Sequence, residues 1–251
     1  MEIKQKNPVH EAMGNNPWYT ADQLVAARGQ QRRVVQRRSG FILKTIRDYL
    51  ESHQRNPTRI LDAGCGDGVQ IEELMKIQGL DISGIDYNPI RTERVKKTFP
   101  NVNIICGDLL HIPLKMRTFD IVLCSQVIEH IPQDDFFLKE LAEIIRPKGL
   151  LILGTPNEGC LMAQARNHIF ERNILKKTDH LHFYREPVIR RKIEAAGFSV
   201  REVMRENWFF PHQRINLFLT NRAWGVRMMT WLSHVIPSQT GGYYFRCIKG
   251  V

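Results

Sequence analysis

The glycine-rich run at residues 59–68, RILDAGCGDG, constrains the fold of this chain more than any other feature. An apolar strand leads into a turn that contains Gly64, Gly66 and Gly68, and a helical pattern follows. Glycine adopts backbone conformations that other residues avoid, and a helix N-terminus presents unpaired N–H groups. The run therefore predicts a turn between strand and helix that holds a nucleotide-like ligand.

Short apolar runs alternate with amphipathic stretches around this turn. The strand-like runs are residues 60–63, 82–85, 102–106, 121–124 and 150–154, and the helix-like stretches are residues 20–53, 68–77, 89–98 and 134–145. Nearly continuous apolar strands separated by helices indicate a parallel sheet covered on both faces, so the fold class is α/β. With 251 residues, of which 43% are hydrophobic, the chain can form one such domain with insertions.

The second half of the chain is less regular and predicts insertions. It contains a helical pattern at 158–177, another at 186–195, strands at 198–205 and 243–248, and a segment at 207–239 that is too long for an ordinary hairpin connection. We predict an N-terminal helical segment or lid at 1–55 and a main domain at 56–251. The insertions 158–177 and 207–239 are expected to form a cap on the side of this domain where an acceptor substrate would bind.

Acidic residues stand near the ends of three successive strands. Asp62 precedes the glycine turn, Asp86 ends the next strand, and Asp108 follows the third. A carboxylate at Asp86 can accept hydrogen bonds from ribose hydroxyls, and one at Asp62 suits a cationic ligand better than a pyrophosphate. The third glycine of a dinucleotide fingerprint would fall at residue 69, which is Val69 here, so a nicotinamide cofactor is disfavoured.

Together these motifs resemble the class I S-adenosylmethionine-dependent methyltransferases that act on small molecules, over residues 59–156. The resemblance implies a Rossmann-like seven-stranded sheet of order 3-2-1-4-5-7-6, with strand 7 antiparallel and helices on both faces. It implies S-adenosyl-L-methionine as cofactor and S-adenosyl-L-homocysteine as product. The cofactor-binding residues that it implies are Asp62, Gly64, Cys65, Gly66, Asp86, Tyr87, Asp108, Leu109, Ser125 and Gln126.

The turn after the fourth strand, SQVIEHIP at 125–132, is similar to that of the O-methyltransferases of ubiquinone synthesis. Some of those enzymes have an acid where this chain has Gln126, so no metal is expected. The turn also lacks the Asn/Asp-Pro-Pro-aromatic motif of enzymes that methylate exocyclic amines of bases. An acceptor hydroxyl would need a general base, for which His130, His180 and His182 are the candidates. The alternative is that His130 and His180 only tie loops together.

The acceptor is expected to be a small aromatic, lipid-like or saccharide molecule. The segment 207–239 combines several aromatic residues with Arg214, Arg222 and Arg227, which favours either peripheral membrane contact or an ordinary packed helix or homodimer contact. Trp18 and Tyr19 either pack the first helix or cover the cofactor. Five scattered cysteines and the absence of a long apolar run favour a cytoplasmic protein.

Two other functions stay open. A net charge of +10 and the basic cluster at 31–38 favour an RNA methyltransferase, although no RNA-binding module is recognisable and a nucleic-acid partner is disfavoured. A module that binds the cofactor without catalysis is the other alternative. The atom that is methylated, whether oxygen, nitrogen or carbon, is not determined by the sequence.

Overall fold

The computed structural model describes residues 22–28, 32–53, 55–172 and 180–250. Trp18 and Tyr19, the side chains of most of the basic cluster at 31–38 and the end of the insertion 158–177 lie outside this part of the chain. The prediction of an N-terminal lid therefore remains a prediction.

In the described part of the chain, seven strands alternate with helices. The strands are β1 Thr58–Ala63, β2 Leu80–Asp86, β3 Asn103–Cys106, β4 Phe119–Ser125, β5 Ile145–Pro156, β6 Phe198–Arg205 and β7 Gly242–Lys249. The α-helices are α1 Gln23–Arg28, α2 Arg32–Ser52, α3 Val69–Leu74, α4 Pro89–Thr98, α5 Asp134–Ile144, α6 Leu161–Ala165, α7 Glu186–Ala195, α8 Gln213–Thr220 and α9 Ala223–Val235.

The strands form one sheet in the order β3-β2-β1-β4-β5-β7-β6. All neighbours from β3 to β5 are parallel, and β7 runs antiparallel to both β5 and β6. This confirms the α/β fold class and the strand order that the resemblance implied. The carboxyl ends of the five parallel strands share one edge, and the first residues of β7 pair with the end of β5 at that edge.

Alternation along the strands directs apolar side chains to both faces of the sheet. On one face, Phe137 and Leu141 of α5 and Ile189 of α7 pack against the sheet. On the other, Ile42 and Ile46 of α2 form a second core with the sheet. Because each face is covered by helices, the sheet is buried, as nearly continuous apolar strands require.

Several predicted boundaries are corrected. The stretch 20–53 contains two helices, α1 and α2, within the described residues. The helix predicted at 68–77 ends at Leu74, before the left-handed Gly79. The fifth strand was predicted at 150–154, but β5 already begins at Ile145, with an irregular register opposite Phe119.

Both predicted insertions leave the sheet at its carboxyl edge. In the described part of 158–177, α6 continues into a wider π-helical turn, Arg166–Phe170. The segment 207–239 holds two helices, α8 and α9. Its two ends are joined by a hydrogen bond from Gly241 N to Asn207 O (3.0 Å). Asn157, just after β5, donates through Nδ2 to Thr240 O (2.9 Å), so the insertion is fastened to the edge that carries the predicted site.

Among the described residues, no helix has the length and apolar character needed to cross a bilayer.

Candidate active site

The turn after β1 has the backbone that its glycines predict. Gly64 and Gly66 have φ values of +84° and +52°. A Cβ atom on Gly64 would lie 2.3 Å from Cγ2 of Val127, so that position also requires the smallest residue. Gly64 and Cys65 donate their N–H groups to the carbonyl of Ile85 (2.8 and 3.0 Å), which fixes the turn against the end of β2.

Asp86 links this turn to the end of β2. Its Oδ2 accepts from Gly66 N (2.8 Å), and its Oδ1 accepts from Asn88 N (2.8 Å). Burial raises the pKa of Asp86, and the two N–H groups oppose that rise. Both oxygens thus have a fixed direction, as an acid that orients a ligand requires.

Asp62 is buried beside the same turn, with 2% of its surface exposed. Its Oδ2 has no hydrogen-bond partner in the described part of the chain. Burial, and then the charge of Asp86, raise the pKa of Asp62 to about 7. An unpaired buried carboxylate is costly, so this position is suited to a ligand that brings a cation or hydrogen-bond donors.

The third acid has a different environment. Asp108 is exposed, and its Oδ1 accepts from Leu110 N (2.9 Å). The adjacent Leu109 is buried, and Tyr87 is half-buried after β2. Because β3 is the outer neighbour of β2, Asp108 lies farther out along the sheet edge than Asp62 and Asp86. The structure therefore brings the three predicted acids to the ends of adjacent strands.

The end of β4 contributes the remaining predicted cofactor residues. Ser125 Oγ and Tyr244 OH are hydrogen-bonded at 2.7 Å. Gln126 has φ +60°, which is uncommon for a non-glycine residue, and its N–H donates to Gly154 O (2.8 Å). Its buried Nε2 lacks a partner among the described residues. A donor and an acceptor, Gln126 Nε2 and Asp62 Oδ2, are thus left for a ligand at neighbouring strand ends.

Glu129 is a functional candidate that the sequence analysis quoted within a motif but did not select. It is 1% exposed, and Thr155 Oγ1 donates to its Oε2 (3.2 Å). Burial raises the pKa of Glu129 to about 7, opposed by a backbone hydrogen bond and by His180. The position of this acid, directly before a candidate catalytic histidine, was the signal that could have identified it.

The three candidate histidines are placed differently. The rings of His130 and His180 meet edge to face, with centroids 4.9 Å apart. One potential metal-ligating atom from each of these two histidines and from Glu129 lies within 4.8 Å of the others. The three side chains thus form a compact group of the kind that can hold a metal ion, although the sequence led to no expectation of a metal. His182 instead donates through Nε2 to Ile131 O (2.9 Å), and its Nδ1 faces Asp134 at 4.0 Å. His182 therefore ties loops together, whereas His130 and His180 form a pair.

Behind His180 stands a second buried acid, Glu158, which the sequence analysis missed. Arg166 Nη2 donates to both oxygens of Glu158 (2.7 and 2.9 Å), and Asn167 Nδ2 donates to Oε2 (2.8 Å). His180 Nδ1 lies 3.6 Å from Oε1, an ion-pair distance. Although burial opposes ionisation, His180, Arg166 and Asn167 lower the pKa of Glu158 to about 2. Glu158 therefore carries a negative charge beside His180.

Arg38, from the basic cluster at 31–38, belongs to this edge of the sheet. Its guanidinium forms an ion pair with Glu206 and lies 5.9 Å from the centre of the Tyr244 ring. Arg37 donates to the carbonyl of Arg205 (3.1 Å). These two arginines thus hold α2 against the end of β6, which is a structural use of charge that the sequence analysis did not foresee.

Residues 34–203 match the family described as methyltransferase domain. A probable S-adenosylmethionine-dependent methyltransferase of Mycobacterium tuberculosis is 33% identical over 98 residues, which are 39% of this chain and 35% of that protein. A ubiquinone biosynthesis O-methyltransferase of Coxiella burnetii is 25% identical over 185 residues, 70% of this chain and 76% of that protein. The aligned part thus spans about a third of the first relative's length.

Two solved structures show the same fold. Phosphoethanolamine N-methyltransferase 2 of Haemonchus contortus, with phosphomonomethylethanolamine and S-adenosylhomocysteine, has a TM-score of 0.55 at 18% identity, covering 83% of this chain and 52% of that chain. The [4+2]-cyclase SpnF has a TM-score of 0.57 at 16% identity, and the match covers 81% of this chain and 78% of that chain. The chain belongs to the methyltransferase domain family and has the class I S-adenosylmethionine-dependent methyltransferase fold.

Proposed function

We propose that this protein transfers a methyl group from S-adenosylmethionine to a hydroxyl oxygen of a small apolar acceptor. The observation that carries the proposal is the buried carboxylate of Asp62, whose Oδ2 lacks a partner among the described residues. It stands beside the glycine turn in which Gly64 and Gly66 have positive φ values. A cationic ligand offsets the cost of this carboxylate, whereas a pyrophosphate would increase it.

The residues at the strand ends fit this cofactor. Asp86 offers a fixed carboxylate for ribose hydroxyls, and the exposed Asp108 can accept from the adenine amino group. Asp62 and Gln126 offer the unpaired acceptor and donor for the amino-acid end. S-adenosylmethionine supplies an electrophilic methyl carbon on a positively charged sulfur. Most of the catalysis then comes from holding the acceptor oxygen in line with that carbon.

The proton of the acceptor hydroxyl needs a base, and the pair His130 and His180 is placed to receive it. His180 has an ionised carboxylate, Glu158, behind its Nδ1 at 3.6 Å. A negative charge there stabilises the imidazolium that forms when a ring nitrogen accepts a proton. The third histidine, His182, uses Nε2 to bind Ile131 O, so we assign it a structural role.

The proposed acceptor class is supported by apolar side chains next to His180 and His182 in the sequence. Leu181 and Phe183, which alternate with His180 and His182, are both exposed at this edge. Apolar walls with a few polar groups are typical of small-molecule sites. The Coxiella burnetii relative is named for O-methylation in ubiquinone synthesis, which supports an aromatic or lipid-like acceptor over a saccharide.

A two-step experiment tests the proposal. Calorimetry first compares S-adenosylmethionine, S-adenosylhomocysteine and NADH as ligands. A panel of phenols, quinols, lipid alcohols, sugars and RNA is then assayed for release of S-adenosylhomocysteine. Turnover with hydroxylated apolar acceptors supports the proposal. Turnover only with RNA, or cofactor binding without turnover on any acceptor, would replace it with one of the two alternatives.

A further inference from the structure

The helical hairpin α8–α9 presents an unusually apolar surface to solvent. Trp224 and Trp231 are 54% and 61% exposed. The other exposed apolar residues of the hairpin and its end are Ile215, Leu217, Phe218, Val235 and Ile236. Exposed apolar patches of this kind mark interaction sites on folded proteins.

The apolar surface belongs to an amphipathic helix. Trp224, Trp231 and Val235 are spaced so that they share one face of α9. Gly225 and Met229, on the opposite face, are buried. A Cβ atom on Gly225 would lie 2.3 Å from the carbonyl oxygen of Leu219, so α8 and α9 are in close contact. The exposed face is therefore held outward by a packed hairpin rather than by a loose loop.

The patch continues onto the neighbouring insertion. Leu161, Ile169 and Phe170 of α6 and the following π-helical turn are also exposed. Phe170 stacks edge to face on His212, with ring centroids 5.7 Å apart. The Gln213 N–H at the start of α8 donates to Glu171 Oε1 (3.1 Å). The two insertions therefore form one surface on the carboxyl side of the sheet.

The charge of the hairpin has one sign. Between Asn207 and Gln239 the chain contains Arg214, Arg222 and Arg227 and neither Asp nor Glu. All three arginines are exposed. The Arg222 guanidinium lies 3.5 Å from the centre of the Phe218 ring, so positive charge and aromatic surface are adjacent.

We propose that the α8–α9 hairpin docks this protein on anionic lipid bilayers. Tryptophan and phenylalanine are suited to the depth of the lipid headgroups, and arginines around them attract acidic lipids. A second copy of the chain fits the surface less well, because a two-fold contact would bring the same arginines face to face without acidic partners on the hairpin. Docking also places the candidate active-site edge next to the membrane, where apolar acceptors concentrate.

Vesicle co-sedimentation tests the proposal and needs neither cofactor nor acceptor. The full chain is expected to bind vesicles of phosphatidylglycerol and phosphatidylcholine at low salt, and to bind pure phosphatidylcholine at least tenfold more weakly. Replacing both tryptophans, Trp224→Ser with Trp231→Ser, should lower binding at least tenfold. Arg214→Gln or Arg227→Gln should each lower it about fivefold, since one basic residue near an anionic surface contributes about 1 kcal/mol.

Matched controls separate docking from general effects. Phe136→Ser removes an exposed aromatic residue from α5, and Arg201→Gln removes an exposed charge from β6; both should bind as the parent does. Circular dichroism verifies that each variant is folded. Equal binding to neutral vesicles, or no loss of binding in the hairpin variants, would overturn the proposal. A dimer by light scattering that the tryptophan variant dissociates, without vesicle binding, would overturn it in favour of self-association.

Discussion

The backbone N–H of Gly66 donates to Oδ2 of Asp86 across 2.8 Å, so the glycine turn after β1 and the acid that ends β2 form one unit. The turn orients the carboxylate, and the carboxylate in return holds the turn in its left-handed conformation. We therefore expect ligand binding at this edge to depend on both residues, since a change in either one affects the other.

Asp86→Asn should lower the affinities for S-adenosylmethionine and S-adenosylhomocysteine to a similar extent, about 10- to 100-fold. The two ligands share the ribose, and hydrogen bonds to a charged group contribute roughly 1.5–3 kcal/mol. Calorimetry of both ligands measures this. Asp81→Asn, at an exposed position of the same strand, is the control and should leave both affinities unchanged. Selective loss of one ligand would argue against ribose recognition by Asp86.

Gly64→Ala should destabilise the fold by about 2–4 kcal/mol, because the added Cβ would meet Val127 at 2.3 Å in a left-handed backbone. Gly40→Ala provides the opposite case. Gly40 lies within α2 with no atom within 4 Å of an added Cβ, so alanine should stabilise by about 0.5–1 kcal/mol. Urea unfolding of both variants checks the pair; a Gly64→Ala protein as stable as the parent would contradict the packing described.

Glu129→Gln should alter how stability depends on pH. The pKa of Glu129 is about 7 in the folded protein, above its ordinary value of 4.5, so the folded state binds more protons than the unfolded state between these values. Its contribution to stability is therefore lost as the pH rises from about 4.5 through about 7. The glutamine variant avoids that loss, which amounts to at most about 3 kcal/mol.

Thermal unfolding across this pH range measures the difference in stability between the parent and Glu129→Gln. Other titrating groups, such as Asp62, contribute equally to both proteins, so their effects cancel in this difference. The advantage of the variant should be greatest above pH 7 and absent below pH 4.5. An advantage that is constant with pH would show that Glu129 does not titrate as its burial implies.

The histidines should separate by function once an acceptor is identified. Replacement of His130 or His180 by alanine should lower kcat about 100-fold or more, the usual contribution of a general base. His182→Ala should lower the Tm, because Nε2 no longer holds Ile131 O, but kcat should change only a few-fold. Steady-state release of S-adenosylhomocysteine and a thermal scan give both values. Three variants with parental kcat would refute base catalysis by histidine.

Glu158→Gln tests whether the acid behind His180 positions that base. The variant keeps one acceptor oxygen, which in the position of Oε2 can still accept from Arg166 and Asn167, but it replaces the other oxygen by an NH2 donor and removes the charge. We expect kcat to fall about tenfold with KM nearly unchanged, because the histidine loses the negative charge beside Nδ1. An unaltered kcat would leave Glu158 with a structural role only.

The local elements of the fold were largely predictable from periodicity. The helix Glu186–Ala195 and the strand Phe198–Arg205 have the bounds that were predicted. A 3.6-residue period and the following Gly197 indicate where the helix lies and ends, and the alternation of apolar and polar residues indicates the strand. Strand order was not predictable in this way. Alternating strands and helices are compatible with several orders, and the correct one followed only from the resemblance to a family.

The candidate site was predictable where it depends on neighbouring residues and not where it depends on distant contacts. The glycine turn and the acids at strand ends are visible as local patterns. The pairing of Glu158 with His180, and of Arg38 with Glu206, joins loops and helices from different parts of the chain. No spacing in the sequence encodes such pairs, since only the folded sheet edge brings them together.

Titration of S-adenosylmethionine into the parent protein and Asp62→Asn, at several pH values, tests the central claim most directly. The pKa of Asp62 is about 7, and a cationic ligand favours its ionised form. Affinity for the parent should rise about tenfold between about pH 6 and about pH 8, and Asp62→Asn should bind weakly without this dependence. Equal affinity of both proteins at every pH, or binding of NADH in place of S-adenosylmethionine, would contradict the account.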